Sequence, residues 1–598
     1  MADRRPADPD KVAAFYQRPL PRSTGDASSW ATGNGLRQSF PPIEGEGWME
    51  AKSLTARRFA KPGFLRQSVY NGPNQRSPNQ MKNGAIPMKY DHIVVGGGTA
   101  GCIVAARLSE DPACSVLLLE AGPDFPDFAQ LPDMLKLGWG SVNLEARAAG
   151  SPYNWSFTGA ATPEQGPMPV PRGKTMGGSS AINGQTFIRG APEDYDTWAS
   201  WGNEGWSYLD CLPYFRKLEN DADFRDDFHG TDGPVPVRHH ARETWPPTQE
   251  AFFQAATAAG YPFHPDVNHP EATGISLRAE NNIDGVRWSM ALAYVDPARH
   301  RLNLTIRPNV QVNRVVLDGA RAVGVEVESG GETFVVEGGE IILCAGAVAS
   351  PQLLMLSGIG PADQLEAQGI PVAVELPGVG QNMRDHPNVT VRFMVNEGVP
   401  VDPDAMRALR LRYTATGSNT PHDMILSPAS LNTVVRDDNP AHTVNCGLYL
   451  ASGKGELRLV SADPNTPPSM DYRYLEEDWD RERLRESVRL CVSLLRHSAY
   501  EGIIDEILAP TPADLETNEA LDAWLRRNVS TSYHISGTCK MGPESDPEAV
   551  VDRQLRVRGV SNLRVADASI MPDVVRANTN VTTMMIAERV SDFIKSGN

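Results

Sequence analysis

The sequence predicts an α/β fold, and three observations carry the prediction. A short apolar strand, Ile93-Val94-Val95, runs directly into the turn Gly96-Gly97-Gly98-Thr99-Ala100-Gly101. A helical pattern follows from about Thr99 to Ser109, with apolar Ile103, Val104, Ala106 and Leu108. A second apolar run, Val116 to Leu119, then ends in Glu120. Strand, turn, helix and strand within about thirty residues make one unit of a parallel sheet.

The turn fits G-x-G-x-x-G, and each glycine has its own reason. Gly96 permits the tight turn, Gly98 lets the backbone approach a pyrophosphate, and Gly101 lets the helix pack on the strand. Thr99 and Ala100 open the helix, whose unpaired N–H groups and positive dipole end favour an anion. Glu120 stands 19 residues beyond Gly101. A carboxylate there can accept both ribose hydroxyls of an adenosine. These features predict a Rossmann-like dinucleotide-binding domain, but the turn alone does not separate FAD from NAD.

Further strands are read near 303–306, 312–317, 323–328 and 333–343. A late helix is read from Asp478 to Arg496 and a terminal one from Thr583 to Ile594. In "DPDAMRALRLRY", Asp402 is expected to cap a short helix with Pro403 at its first position. Arg407, Arg410 and Arg412 would spread around that helix as solvated charges. Their functional alternative is recognition of a carboxylate or phosphate.

The 598 residues are 40% hydrophobic, enough for two or more lobes. A net charge of −18 argues against a nucleic-acid binder and against attraction to anionic membranes. Seven cysteines are scattered without a C-x-x-C pair. That pattern predicts no metal site and no disulfide framework, and reduced thiols in a cytoplasmic protein. No apolar run approaches the roughly 18 residues of a membrane span, and the N-terminus lacks a secretory apolar region. Residues 1–87 hold 13 Lys/Arg against seven Asp/Glu, so they carry +6 and the remainder −24. Their turn-rich composition reads as a disordered extension. The alternatives are a targeting arm, or translation starting at Met88.

Four further stretches matter together: "PRGKTMGGSSAINGQTFIRG" (171–190), "GAVASPQLLMLSGIG" (346–360), "YHISGTCKMG" (533–542) and "LRVADASIMPDVVRANTNVTTMMIAERV" (563–590). In this order, with the glycine turn, they resemble the glucose–methanol–choline family of FAD-dependent oxidoreductases. The resemblance covers nearly everything from residue 88 onward. It implies FAD, and a second, α+β lobe for substrate built on an antiparallel sheet. The implied FAD domain is discontinuous, 88–245, 300–390 and 540–598. The substrate domain takes 246–299 and 391–539.

The resemblance also assigns residues. The small-residue run Gly177-Gly178-Ser179 lets backbone approach a flat ligand closely. In relatives this stretch, with Arg172 and Met176, wraps flavin and pyrophosphate, and Asn183 sits near the isoalloxazine. Val312 matches an adenine-side position, and Asp567 and Ala568 match a turn at the ribityl chain and pyrophosphate. Relatives with covalent flavin use a histidine near 171–190. That stretch has none, which implies non-covalent FAD.

Alcohol oxidation by a flavin moves a hydride from carbon to flavin N5 and a proton from the hydroxyl to a base. Histidine suits the second task, and a polar partner should hold the substrate oxygen. The resemblance places the base at His534 and the partner at Asn580. Asn578 reads as a plain turn residue. The implied activity is oxidation of a primary alcohol to the aldehyde, with oxygen or a quinone as acceptor. Choline and aliphatic alcohol dehydrogenases, and hydroxymethylfurfural or aryl-alcohol oxidases, look nearest. Alternatives are a non-redox hydroxynitrile-type lyase and a sugar or secondary-alcohol oxidoreductase. Light-driven decarboxylation and a non-catalytic flavin module fit less well. Only 67 residues separate His386-Pro387 from Gly455, so part of the substrate lobe is expected to be pared down.

Overall fold

The computed structural model describes residues 89–597 except 140–141, 401–407, 430–434 and 437–438. The expected N-terminal extension, Met88, Asp402, Pro403 and Arg407 therefore lie outside the described residues.

Apolar runs with no polar alternation belong in a sheet buried on both faces. Val116–Leu119 is such a run and is buried throughout. It lies parallel between Tyr90–Val95 and Leu304–Arg307. Glu332–Leu343 serves two partners. Its first half pairs antiparallel with Arg321–Ser329, and from Gly338 onward it pairs parallel with Tyr90–Val95. Gln311–Asp318 closes the antiparallel side, and Leu563–Val565 adds a last parallel strand, making seven in all. The helix Thr99–Leu108 follows the turn, and the C-terminal helix Thr579–Lys595 packs on it. Arg107 and Tyr294 bond the fully buried Glu588, which ties the two helices together.

The second sheet has eight strands. Its order is Ile504–Ala509, Pro387–Val395, His442–Leu448, Met424–Ala429, Leu409–Tyr413, Gly274–Leu277 and Phe263–His264, with Ser530–Thr531 also on Pro387–Val395. All its pairs are antiparallel save the last, between Gly274–Leu277 and Phe263–His264. Strand side chains alternate between faces, so each strand presents two sets. Val389, Val391, Leu411, Leu426, Val444 and Cys446 are buried on one face. The helix Asp478–Leu495 packs against this sheet and buries Leu484, Val488, Cys491 and Val492. The other face carries Asn388, Thr390, Arg410, Ser427 and Asn445, and it forms one wall of a cavity.

The first-sheet strands fall within the segments 88–245, 300–390 and 540–598, and Pro387–Val395 straddles the 390/391 boundary. Two local expectations are corrected. Leu409–Tyr413 is a strand, because Leu-Arg-Leu-Arg-Tyr alternates with period two. Arg410 and Arg412 therefore share one face of a sheet and do not spread around a helix. The terminal helix begins at Thr579, four residues earlier than read, so Asn578 is its N-cap position and Asn580 sits in its first turn. No helix among the described residues is long and apolar enough to cross a membrane.

Candidate active site

A cavity of about 840 Å³ lies between the C-terminal ends of the parallel strands and the polar face of the second sheet. Ligands of open α/β sheets bind at that strand end. The glycine turn forms one wall. A Cβ on Gly101 would overlap the Gly96 carbonyl oxygen, so this glycine brings helix and turn together. A Cβ on Gly98 would meet only the Cys344 carbonyl oxygen, at 3.8 Å, so its outer face is open to the cavity. Gly178 comes from the other glycine loop, and a Cβ there would sit 2.6 Å from Gly98 Cα. The two loops thus meet backbone to backbone.

Three polar groups complete this wall. Glu120 accepts from the N–H groups of Gly97 and Gly122 at 2.8 and 2.9 Å. Burial pushes its carboxyl up to about 7. Asp567 accepts from the Gly346 and Ser569 N–H groups and from the Ser350 hydroxyl, and so ties its own turn to the start of the helix Gly346–Leu356. Asn580 accepts the Thr99 hydroxyl at 2.8 Å, and its buried Nδ2 has no acceptor. A buried donor without an acceptor costs about 1–3 kcal/mol unless a ligand supplies one. Gly96, Thr99, Ala100, Arg172, Ser179, Asn183, Val312 and Ala568 also line the cavity. Gly101, Met176 and Gly177 do not; they pack behind the turn.

The opposite end is built around two histidines. Asp385 is buried, and its carboxylate accepts from the backbone N–H groups of both His386 and His534. Its other oxygen takes the hydroxyls of Tyr474 and Thr531. One side chain therefore sets the spacing of two loops. His386 stacks on Tyr449, with ring centroids 4.1 Å apart. His534 Nδ1 and His386 Nδ1 are 2.8 Å apart, and His534 Nε2 is 2.9 Å from Asn578 Nδ2.

The proton positions follow from these contacts. Arg410 has only donors, and its Nη2 lies 3.5 Å from Asn578 Oδ1. The amide oxygen therefore faces the guanidinium and the amide nitrogen donates to His534 Nε2. Nε2 is then the unprotonated nitrogen, and Nδ1–H donates to His386 Nδ1. Burial holds His534 well below the usual histidine value, with the neighbouring His386 and the charges of Arg172 and Arg410 adding to it. Burial likewise pushes His386 down to about 3. The pair is neutral, and a basic nitrogen faces the cavity.

This geometry moves one assignment. The carboxamide beside the imidazole is Asn578; Asn580 faces the glycine turn through Thr99. The early helix start is the reason, since the extended N-cap backbone of Asn578 (φ −62°, ψ 134°) aims its side chain away from the helix. The sequence reading also passed over His386, Asp385 and Tyr449. The stretch "VGQNMRDHP" held the signal, an acid and a histidine side by side in a glycine-bounded loop.

A dinucleotide-binding sheet that shares one cavity with a buried histidine–carboxamide pair defines a two-lobed oxidoreductase. Family models for the N- and C-terminal parts of GMC oxidoreductases match residues 90–388 and 451–587. The chain belongs to the GMC oxidoreductase family. It is 38% identical over 513 residues to an uncharacterized GMC-type oxidoreductase of Rhodococcus erythropolis, covering 84% of this chain and 98% of that protein. It is 38% identical over 548 residues to the mitochondrial choline dehydrogenase of Homo sapiens, covering 85% and 90%. Among solved structures, pyridoxine 4-oxidase from Mesorbium loti superposes with a TM-score of 0.78 at 30% identity, covering 85% and 99%.

GMC oxidoreductases bind FAD, and the residues present fit it. The Gly98 face would receive the pyrophosphate, Glu120 the adenosine ribose, and Asn580 Nδ2 offers an unmet donor. The two family models leave 389–450 unmatched, and that stretch supplies much of the opposite wall.

Proposed function

We propose that the chain oxidises a primary alcohol to its aldehyde, with His534 as the base and Asn578 as the group that holds the substrate oxygen. The observation that carries this reading is the 2.9 Å contact of Asn578 Nδ2 with His534 Nε2 inside the cavity shared with the glycine turn. FAD, when bound, supplies the acceptor for the hydride leaving the carbinol carbon, and we propose that it is held without a covalent bond. A substrate hydroxyl takes over the Asn578 donor, accepting from Nδ2, and turns its own proton to the Nε2 lone pair so freed. Burial keeps Nε2 free of protons. His386 accepts the Nδ1 proton and so fixes the tautomer. As charge develops, the imidazole takes the hydroxyl proton at Nε2 and keeps its own at Nδ1.

The test is anaerobic mixing of the FAD-loaded protein with a series of primary alcohols, followed by flavin absorbance. Bleaching is expected. His534→Ala is expected to keep FAD and to slow bleaching by about 100-fold or more, the usual worth of a general base. Absence of bleaching with every alcohol would overturn the reading and leave a non-redox use of the cofactor.

A further inference from the structure

Arg410 is the one charged side chain that the second sheet sends to the cavity wall among the described residues. It belongs to the stretch that neither family model covers. Its guanidinium touches only neutral acceptors, the Ser427 hydroxyl and the Asn578 amide oxygen, and its Nε is shut from solvent without an acceptor. No carboxylate among the described residues pairs with it. Arg410 is half-buried with its guanidinium at the cavity, and a guanidinium whose partners are neutral gains charge-assisted, fork-shaped hydrogen bonds from an oxyanion.

The rest of the wall agrees. The carboxylates lining the cavity, among the described residues, are Glu120 and Asp567. Both lie at the glycine-turn end and are taken up by backbone N–H groups. A cationic alcohol docked at His534 would therefore face a guanidinium with no counter-charge. The distance between the two functions is short, because a single carboxamide, that of Asn578, lies between Arg410 and His534 Nε2.

We propose that Arg410 is a specificity-determining residue and that the substrate is a short hydroxy acid, a primary alcohol whose carboxylate lies a few bonds from its hydroxyl-bearing carbon. This rests on the alcohol-oxidising reading of the same site. The carboxylate docks on the guanidinium, and the hydroxyl replaces the 2.9 Å contact of Asn578 with His534, accepting from Asn578 Nδ2 and donating to His534 Nε2. Quaternary ammonium alcohols are excluded by like charge, whatever the similarity of the chain to choline dehydrogenases.

The test uses FAD-loaded full-length protein and two readouts. The first is kcat/KM for butanoate hydroxylated at its terminal carbon, against butanol and choline. The hydroxy acid is expected to exceed both by about 30-fold or more, the worth of one charged hydrogen-bonding pair. Arg410→Met should bring the ratio to butanol close to one, and Arg410→Lys should keep part of it. The second readout is perturbation of the flavin spectrum by unreactive butanoate, which should be seen in the wild type and lost in Arg410→Met. The proposal falls if butanol or choline is preferred, or if Arg410→Met slows hydroxy acid and butanol by the same factor. The latter would make Arg410 only a positioning residue for Asn578. If no alcohol reduces the flavin but butanoate still binds through Arg410, the oxidation reading fails and the anion site stands. If neither occurs, both fail.

Discussion

The two walls of the cavity are made differently. The glycine-turn wall is backbone: N–H groups, carbonyls, and carboxylates that are themselves held by N–H groups. The facing wall is a row of side chains on alternate strand positions, with a histidine pair at its edge. Backbone recognition needs small residues in fixed order, so it writes a motif into the sequence. Side-chain recognition needs only the right parity on a strand, so a substrate wall can change residue by residue with the fold intact. This chain shows the contrast sharply, since the family models match one wall and lapse across much of the other.

Two asparagines in one tetrapeptide belong to different walls, and separating them is the strongest way to break the comparison. Asn578→Ala should cut the rate of anaerobic flavin reduction by about 100-fold while FAD content stays full, as removal of a positioned donor does. Asn580→Ala should leave reduction of the FAD-bound fraction within a few-fold and weaken FAD retention. Rapid-mixing absorbance and the flavin-to-protein ratio read the two effects. The reverse pattern would return the catalytic role to Asn580.

A second test concerns pH. An exposed histidine base is lost to protonation near its ordinary value of about 6.5. His534 is held lower by burial, with His386, Arg172 and Arg410 adding to it, and Asp385 faces it only through the backbone N–H. The active form is the neutral one, so it persists as pH falls through 6.5 and is lost only at the depressed value. The kcat/KM profile should therefore stay flat through pH 6. Stability follows the same sign. The unfolded chain takes up protons below 6.5 that buried His534 and His386 refuse, so folding weakens as pH falls toward the His386 value of about 3. A limb centred at 6.5 in the rate profile would show that the imidazole is solvated.

These residues also mark what the sequence could and could not disclose. Gly96 to Gly101, Val116–Leu119 and Glu120 were legible because turn sterics and a buried parallel strand leave no alternative. His534 is legible as a candidate through its motif, and it lines the cavity. Asn578 was not, because helix starts are set by capping geometry, and Asn578 caps through its extended backbone with no side-chain bond to announce it. The Arg410 strand was misread because Asp402-Pro403 is a good helix start and the five-residue alternation after it is short. The His386 partnership links residues 148 positions apart, brought together by the pairing of Ser530–Thr531 with Pro387–Val395 and by the Asp385 carboxylate bonded to both backbones.

The smallest expected effect lies on the backbone wall, at Glu120. Burial raises its carboxyl to about 7 in the FAD-free protein. A raised value means that the folded state prefers the protonated acid. The stabilisation is full below the ordinary carboxyl range and is lost as pH rises through about 7. Ribose hydroxyls donate to a carboxylate better than to a carboxylic acid, so FAD should draw the ionised form and release a proton on binding. FAD affinity should then tighten by up to about tenfold between pH 6 and pH 8, because the ionised fraction of a carboxyl at about 7 rises from about one in eleven to about ten in eleven over that range. Glu120→Gln cannot ionise, and it should flatten that slope while weakening binding at pH 8. Asp567, buried on the same wall and also shifted upward, stays in both proteins and so cancels from the comparison. Equal slopes in wild type and variant, measured by fluorescence titration of the FAD-free protein, would show that Glu120 does not meet the cofactor. The glycine wall would then hold FAD by N–H groups alone.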